Sequence, residues 1–297
     1  LTAAAARRGV LPACLAGLIL AGLILAGLIL AGLILAGLIL AGAALPASSA
    51  PAKPGAAPDR ACERARFSVA LDVGHTAQEP GAISTRSVSE YDFNLALAER
   101  IGRELRAAGF ARTLVLVTAG PALPGLVRRV AAANAARADL LVSIHHDSVP
   151  DSLLQHMDAD GGPRRFSDRF SGHSIFVSHE NADRAGSLQF AKLLGARLKD
   201  AGLRFTPHYT EKFMGGRRRV LLDRDVGVYR FDRLYVLRAA RMPAVLFEAG
   251  LIINPAEENI LAGEERQGVI ARAMREAVEA FCAALPAQPA ASVRKRK

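Results

Sequence analysis

The chain has 297 residues, enough for one domain of ordinary size with a sizeable core, plus appendages. Its 38 Lys and Arg against 28 Asp and Glu give a formal charge of +10, which favours an anionic partner such as an acidic wall polymer or a phospholipid surface. The basic excess is scattered and lacks interleaved stacking aromatics, which argues against nucleic acid; three cysteines are too few for a disulfide scaffold or a Cys-rich metal site.

Residues 1–46 read as an export segment. Arg7-Arg8 form a positive start, and an apolar run follows that contains five tandem copies of Ala-Gly-Leu-Ile-Leu from Ala16 to Leu40. The run exceeds both a signal h-region of roughly 7–15 residues and a membrane span of about 20. It is either a removed signal or a retained anchor, and membrane contact is expected only through it. Either reading exports the protein to the periplasm or cell envelope. Residues 47–61, rich in Pro, Ala and Ser, are a linker. Residues 62–285 are expected to form the globular domain, and 286–297, ending Arg294-Lys295-Arg296-Lys297, a solvated basic tail.

Within the domain, strands alternate with helices. Phe67–Leu71 is a strand running into a Gly turn that presents His75. Val88–Ala108 is an amphipathic helix with Leu97, Ile101 and Leu105 on its apolar face, and it carries Glu90 in its first turn. Thr113–Val117 is a strand, Leu126–Arg137 a helix, and Leu140–Ile144 a strand ending at His145-His146. The stretch 148–172 reads as a long irregular loop bordering the site. Ser174–Val177 is a strand, and Asn181 or Asp183 caps a helix running to about Ala201. Leu234–Leu237 and Ala244–Phe247 are apolar strands, the second ending at Glu248, and Glu264–Ala283 is the last helix. This alternation predicts an α/β fold with a mostly parallel central sheet covered by helices on both faces. In such sheets ligands sit beyond the carboxyl ends of the strands, where His75, His145 and Glu248 fall.

Two imidazoles and a carboxylate are the donors of a catalytic zinc site with one position left for water, so His75, Glu90 and His145 form a candidate set for one Zn²⁺. Glu248 would then act as general base and acid in amide hydrolysis. Each residue also has a plainer reading. A lone His after a strand is usually a hydrogen-bonded turn residue, Glu90 is a favourable first-turn carboxylate, and Glu248 could be a buried acid paired with an arginine. Adjacent strand residues face opposite ways, so only one of His145 and His146 can reach a metal. His156, His173, His179 and His208 lack a partner pattern and read as surface or loop residues. Cys62 and Cys282, near the two ends of the domain, could pair in an oxidising compartment.

The motifs together resemble the zinc-dependent N-acetylmuramoyl-L-alanine amidases. The resemblance rests on Leu71-Asp72-Val73-Gly74-His75, Glu79-Pro80-Gly81-Ala82 and Glu90; on Arg129, Ala133-Asn134 and Ser143-Ile144-His145; and on Pro243, Leu246, Glu248, Gly250 and Asn254. It implies zinc on His75, Glu90 and His145, Glu248 as the catalytic carboxylate, and cleavage between N-acetylmuramic acid and L-alanine of the peptidoglycan stem peptide. It also implies a substrate groove near Arg230, which would meet an acidic group or the developing oxyanion unless it is an ordinary surface arginine, with Asn254 as a second substrate-binding candidate. An activator protein is left open as a partner. Thr76-Ala77 replaces the family's usual Gly-Gly. Ser178 leads almost at once into a helix, where some relatives insert a blocking helix. Two other readings stand beside this one: an amidase-like module that grips wall without cutting, and a zinc peptidase acting within the stem peptide.

Overall fold

The computed structural model describes residues 62–159 and 162–285; the segments expected to be an export segment, a linker and a basic tail lie outside the described residues. Nine strands and six α-helices follow in chain order among them: β1 (Val69–Val73), α1 (Glu90–Ala107), β2 (Leu114–Leu116), α2 (Ala122–Ala135), β3 (Leu140–Asp147), β4 (Gln155–Ala159), β5 (Gly162–Phe166), β6 (Ser174–Val177), α3 (Arg184–Asp200), β7 (Val220–Asp223), β8 (Val228–Arg230), α4 (Tyr235–Ala239), β9 (Ala244–Leu251), α5 (Pro255–Ala262) and α6 (Glu264–Ala284).

Seven strands form one mixed sheet in the order β2-β1-β3-β9-β6-β8-β7. The β1–β2, β1–β3, β3–β9 and β6–β8 pairs are parallel, while β6–β9 and β7–β8 are antiparallel. The sheet is therefore mostly parallel, as expected. Alternation along β1 explains why both faces must be covered. Val69, Leu71 and Val73 join Leu97, Ile101, Phe190, Leu194, Met274 and Phe281 in the larger core. Ala70 joins Val130, Ala133, Val236 and Leu237 in the second. One face is thus packed by α1, α3 and α6 and the other by α2 and α4.

Several local expectations are corrected. Leu234–Leu237 is not a strand: it enters helix α4, and the sheet position beside β6 is taken by β8. A run of four apolar residues does not fix a period, and here the chain coils to bury Val236 and Leu237. The stretch 148–172 is not irregular, since it contains a short 3₁₀ turn and the β4–β5 hairpin. His173 and His208 are each only 2% exposed, so they are core rather than surface residues, whereas His156 and His179 are exposed. Both buried rings pack on phenylalanine, His173 on Phe247 and His208 on Phe170. Asp183 caps α3 by accepting from Gly186, while Asn181 donates to the carbonyls of Leu237, Ala240 and Met242. The turn 178–183 joins β6 to α3 directly.

The domain's two ends are locked together. Cys62 and Cys282 form a disulfide across a sequence separation of 220, with Cα atoms 5.3 Å apart. None of the described helices is long and apolar enough to cross a membrane.

Candidate metal centre

His75, Glu90 and His145 converge at the carboxyl ends of β1 and β3. One ligand-type atom from each lies within 4.8 Å of the others. His75 Nε2 is 3.1 Å from Glu90 Oε2, and His145 Nδ1 is 2.9 Å from Glu90 Oε1. The two imidazole rings meet edge to face at 5.0 Å. Glu90 is buried, while His75 and His145 keep part of their side chains exposed. Burial alone would raise the Glu90 carboxyl; the hydrogen bonds and charge of His145 and His75 outweigh it and hold Glu90 well below the usual carboxylate range. The donor set of two imidazole nitrogens and a carboxylate on one partly open face suits a divalent transition metal.

The sequence builds this pocket from local chemistry. β1 ends at Val73, and Gly74 donates to Ile144 O, which fixes the turn against β3. His75 then adopts φ 68°, a left-handed conformation that non-glycine residues take only where surrounding contacts impose it. Thr76, fully buried, donates to Gly120 O at 2.7 Å and accepts from Glu79 N at 3.1 Å. Where the resemblance has a flexible glycine, this chain therefore has a tether. Glu79 in turn accepts from Ala122 N at the start of α2, a favourable place for a carboxylate. Gly81 has φ 80°, and a Cβ there would overlap Glu90 Oε2 and lie 2.7 Å from His75 Nε2. The missing side chains at Gly74 and Gly81 make room for the three candidate ligands.

Helix α1 starts where it does because Ser89 caps it, accepting from Asp92 N. Ala82 N donates to Glu90 Oε2 at 3.0 Å, so the first-turn carboxylate is oriented by the loop that precedes it. Asn94, one helical turn on, is on the same face. Its Nδ2 donates to Gly74 O and approaches Glu90 Oε1 at 3.4 Å, while its Oδ1 meets His146 Nδ1 at 2.8 Å. His146 thus points away from the cluster, as strand alternation requires, and packs against Phe93. Burial pushes its imidazole down to about 3. Beneath the centre, buried Arg129 donates to Asp72, to His75 O and to Thr118 Oγ1, and Ser143 Oγ donates to the other Asp72 oxygen.

Glu248 stands in β9 directly opposite His145 in β3. Its Oε2 is buried without a hydrogen-bond partner, and no arginine pairs with it among the described residues. Burial first, then the charges of Asp147 and Glu90, push its carboxyl well above the ordinary value. Asp147, at the end of β3, is raised to about 7, chiefly by burial, although Tyr209 donates to it at 2.8 Å and Arg217 lies 3.9 Å away. Neither Asn94 nor the Asp147–Tyr209–Arg217 group was anticipated from sequence. Asn94 was readable as the i+4 neighbour of Glu90; the second group joins distant segments and left no local signal.

The remaining candidates sit elsewhere. Arg230 is exposed and ion-paired with Asp232 at 2.5 Å. Asn254 caps α5, accepting from Ala256 N and Glu257 N and donating to Phe170 O. Its side chain is engaged in holding the 167–171 segment to the helix start.

The pattern of the N-acetylmuramoyl-L-alanine amidase family (Amidase_3) matches residues 69–280. The chain is 27% identical over 244 residues to the N-acetylmuramoyl-L-alanine amidase AmiC of Neisseria meningitidis, covering 75% of this chain and 55% of that protein. It thus spans little more than half the length of that relative. It is 26% identical over 211 residues to the Mycobacterium tuberculosis amidase Rv3717, covering 69% and 74% respectively. Among solved structures, the amidase Ami1 of Mycobacterium smegmatis superposes with a TM-score of 0.57 at 22% identity, over 73% of this chain and 97% of that one. The catalytic domain of the amidase CwlV from Paenibacillus polymyxa does so with 0.52 at 25% identity, over 72% and 97%. With the family pattern spanning the whole sheet and all three candidate ligands, the chain belongs to the N-acetylmuramoyl-L-alanine amidase family.

Proposed function

We propose that this protein is a zinc-dependent peptidoglycan amidase that hydrolyses the bond between N-acetylmuramic acid and L-alanine of the stem peptide. The observation that carries the reading is Glu248, an enclosed carboxylate oxygen without a partner, in register with His145 beside the ligand cluster. A buried acid left unpaired is costly and is tolerated chiefly where chemistry needs it. His75, Glu90 and His145 would hold the ion. When bound, zinc supplies Lewis acidity, making water acidic at neutral pH and polarising the scissile carbonyl. Glu248 takes the proton from the attacking water and returns it to the leaving amine. Its raised pKa suits the donating half of that cycle.

Export to the periplasm or cell envelope follows from this substrate, and the Cys62–Cys282 disulfide fits an oxidising compartment. A structure in the same fold class is that of the Clostridioides difficile amidase CwlD in complex with the lipoprotein GerS; an activator protein is a parallel expectation for this chain.

The test is digestion of purified wall fragments with and without a chelator, products identified by mass, for the wild type and Glu248→Gln. The variant should keep its zinc and lose hydrolysis. Retained hydrolysis would sink the mechanism. Cuts within the stem peptide would replace the amidase with a peptidase, and wall binding without products would leave a binding module.

A further inference from the structure

A cleft of about 440 Å³ lies between the segments 167–171 and 204–213. Its apolar walls are Phe170, Phe205 and Phe213, and its charged groups are Arg169, Arg204 and Glu211. The Arg169 guanidinium sits 5.2 Å from the Phe170 ring and 5.8 Å from the Phe213 ring, and those rings are 5.6 Å apart. Two aromatic faces therefore hold one cationic fork at the cleft. Among the described residues, neither Arg169 nor Arg204 forms an ion pair. The neighbouring arginines differ: Arg217 donates to Ser148 O, Arg218 to Thr210 O, Arg219 to Gly216 O and Arg230 to Asp232. The Arg169 and Arg204 side chains make no hydrogen bond among the described residues, which leaves their donors to offer at the cleft.

The cleft is also tied to the metal centre. His208 forms part of its wall, 5.4 Å from Phe170. Its Nδ1 is bonded to Thr206 Oγ1 at 2.7 Å, and its Nε2 faces Asp147 Oδ2 at 3.7 Å. Asp147 closes β3, the strand that carries His145.

We propose that this cleft is a peptide subsite that takes an amino-acid-like terminus bearing both a carboxylate and an ammonium group. The planar forks of Arg169 and Arg204 match a carboxylate, the phenylalanines match an aliphatic stem, and Glu211 supplies the counter-charge for the amine. A phosphate dianion would meet the same glutamate as a repulsive neighbour. Only the identification of this arm as the stem peptide of the wall rests on the amidase reading.

Calorimetric titration of the zinc-loaded full chain with a synthetic stem peptide lacking muramic acid, and hence the scissile bond, tests the subsite. The peptide is used with its terminal carboxylate free and amidated. Amidation should weaken binding about tenfold or more, and Arg169→Ala and Arg204→Ala should each do the same to the free peptide. Glu211→Gln should weaken only peptides with a free amine. Phe213→Ala, at an exposed position, provides a second disruption of the cleft, and thermal melts check that each variant is folded. Equal binding of the two peptides, wild-type affinity in both arginine variants, or tighter binding of inorganic phosphate than of peptide would overturn the proposal. Hydrolysis of a muramoyl peptide is followed in parallel. Arginine-dependent binding without hydrolysis removes the amidase reading and keeps the subsite; hydrolysis with arginine-independent binding does the reverse.

Discussion

Arg129 Nη1 donates to the backbone carbonyl of His75 at 3.2 Å. The bond reaches a residue held at φ 68°, so a buried guanidinium stabilises the conformation that aims one candidate ligand. The same group pairs with Asp72, whose other oxygen accepts from Ser143 Oγ at 2.5 Å. Arg129 is therefore a positioning residue with two separable effects. Arg129→Met should leave Asp72 as a buried, unbalanced charge and cost about 3–5 kcal/mol of stability. It should also weaken metal affinity by roughly tenfold or more through the freed His75 carbonyl. Asp72→Asn combined with Arg129→Met should recover much of the stability and none of the affinity. Urea unfolding and chelator competition read the two effects, and recovery of both by the double variant would show that Arg129 acts on stability alone.

Gly81→Ala tests the other side of the same pocket. The new methyl group would overlap Glu90 Oε2 and crowd His75 Nε2, at a backbone φ of 80° that disfavours a side chain. Metal binding should fall by at least about an order of magnitude, comparable to the loss of a supporting partner. Gly120→Ala is the control, since it shares the positive φ but its Cβ would meet nothing within 4 Å. It should cost about 1 kcal/mol of stability and leave metal affinity near wild type. Equal affinities for the two variants in a chelator titration would mean that Gly81 supplies backbone freedom and not space.

The candidate site residues are legible because each borders a segment of clear period: β1 before His75, α1 from Glu90 onward, β3 before His145 and β9 around Glu248. What stayed hidden depends on contacts between distant segments. β7, at the sheet edge, and β8 beside it are too short for an alternation to be read, and Leu234–Leu237 carries too few residues to separate a strand from a helix. Helix α5 carries its own signal, Asn254 as cap with Pro255 behind it, beside the motif that marks Asn254 as a substrate-binding candidate. The burial of His173 and His208 is set by segments far away in sequence. So is the engagement of Thr76 with Gly120, which turns an apparent departure from the family into a loop anchor.

The disulfide should matter to stability more than to the metal site. Cys62 and Cys282 link the segment before β1 to the last helix, closing nearly the whole domain into one loop. Cys62→Ser with Cys282→Ser should lower stability by about 2–5 kcal/mol, mainly by freeing the unfolded chain. Metal affinity of the folded fraction should not change, because neither cysteine contacts the cluster. A urea midpoint equal to that of the wild type would mean that packing of Phe281 on Phe67 and Phe190 already holds the ends together.

His173 sets a pH dependence that is independent of the candidate ligands. It is 2% exposed, and burial pushes its imidazole down to about 4 from 6.5. In the unfolded chain the ring takes a proton near its ordinary value; in the folded chain it stays neutral until about 4. Between those values the unfolded state binds more protons, so the contribution of a neutral His173 is complete above about pH 6.5 and is lost as pH falls toward 4. The slope in that window is about 1.4 kcal/mol per pH unit for one histidine, and the total is on the order of 3 kcal/mol. His208, lowered to about 4 chiefly by burial, acts in the same direction. The raised carboxyls of Asp147 and Glu248 act in the opposite direction over the same range, so the histidine contribution is read as the difference in urea midpoint between wild type and variant from pH 6.5 to pH 5. His173→Gln should be less stable at neutral pH and should flatten the curve by about one proton's worth. An unchanged slope in that variant would show that the His173 ring reaches solvent and titrates normally in the folded protein.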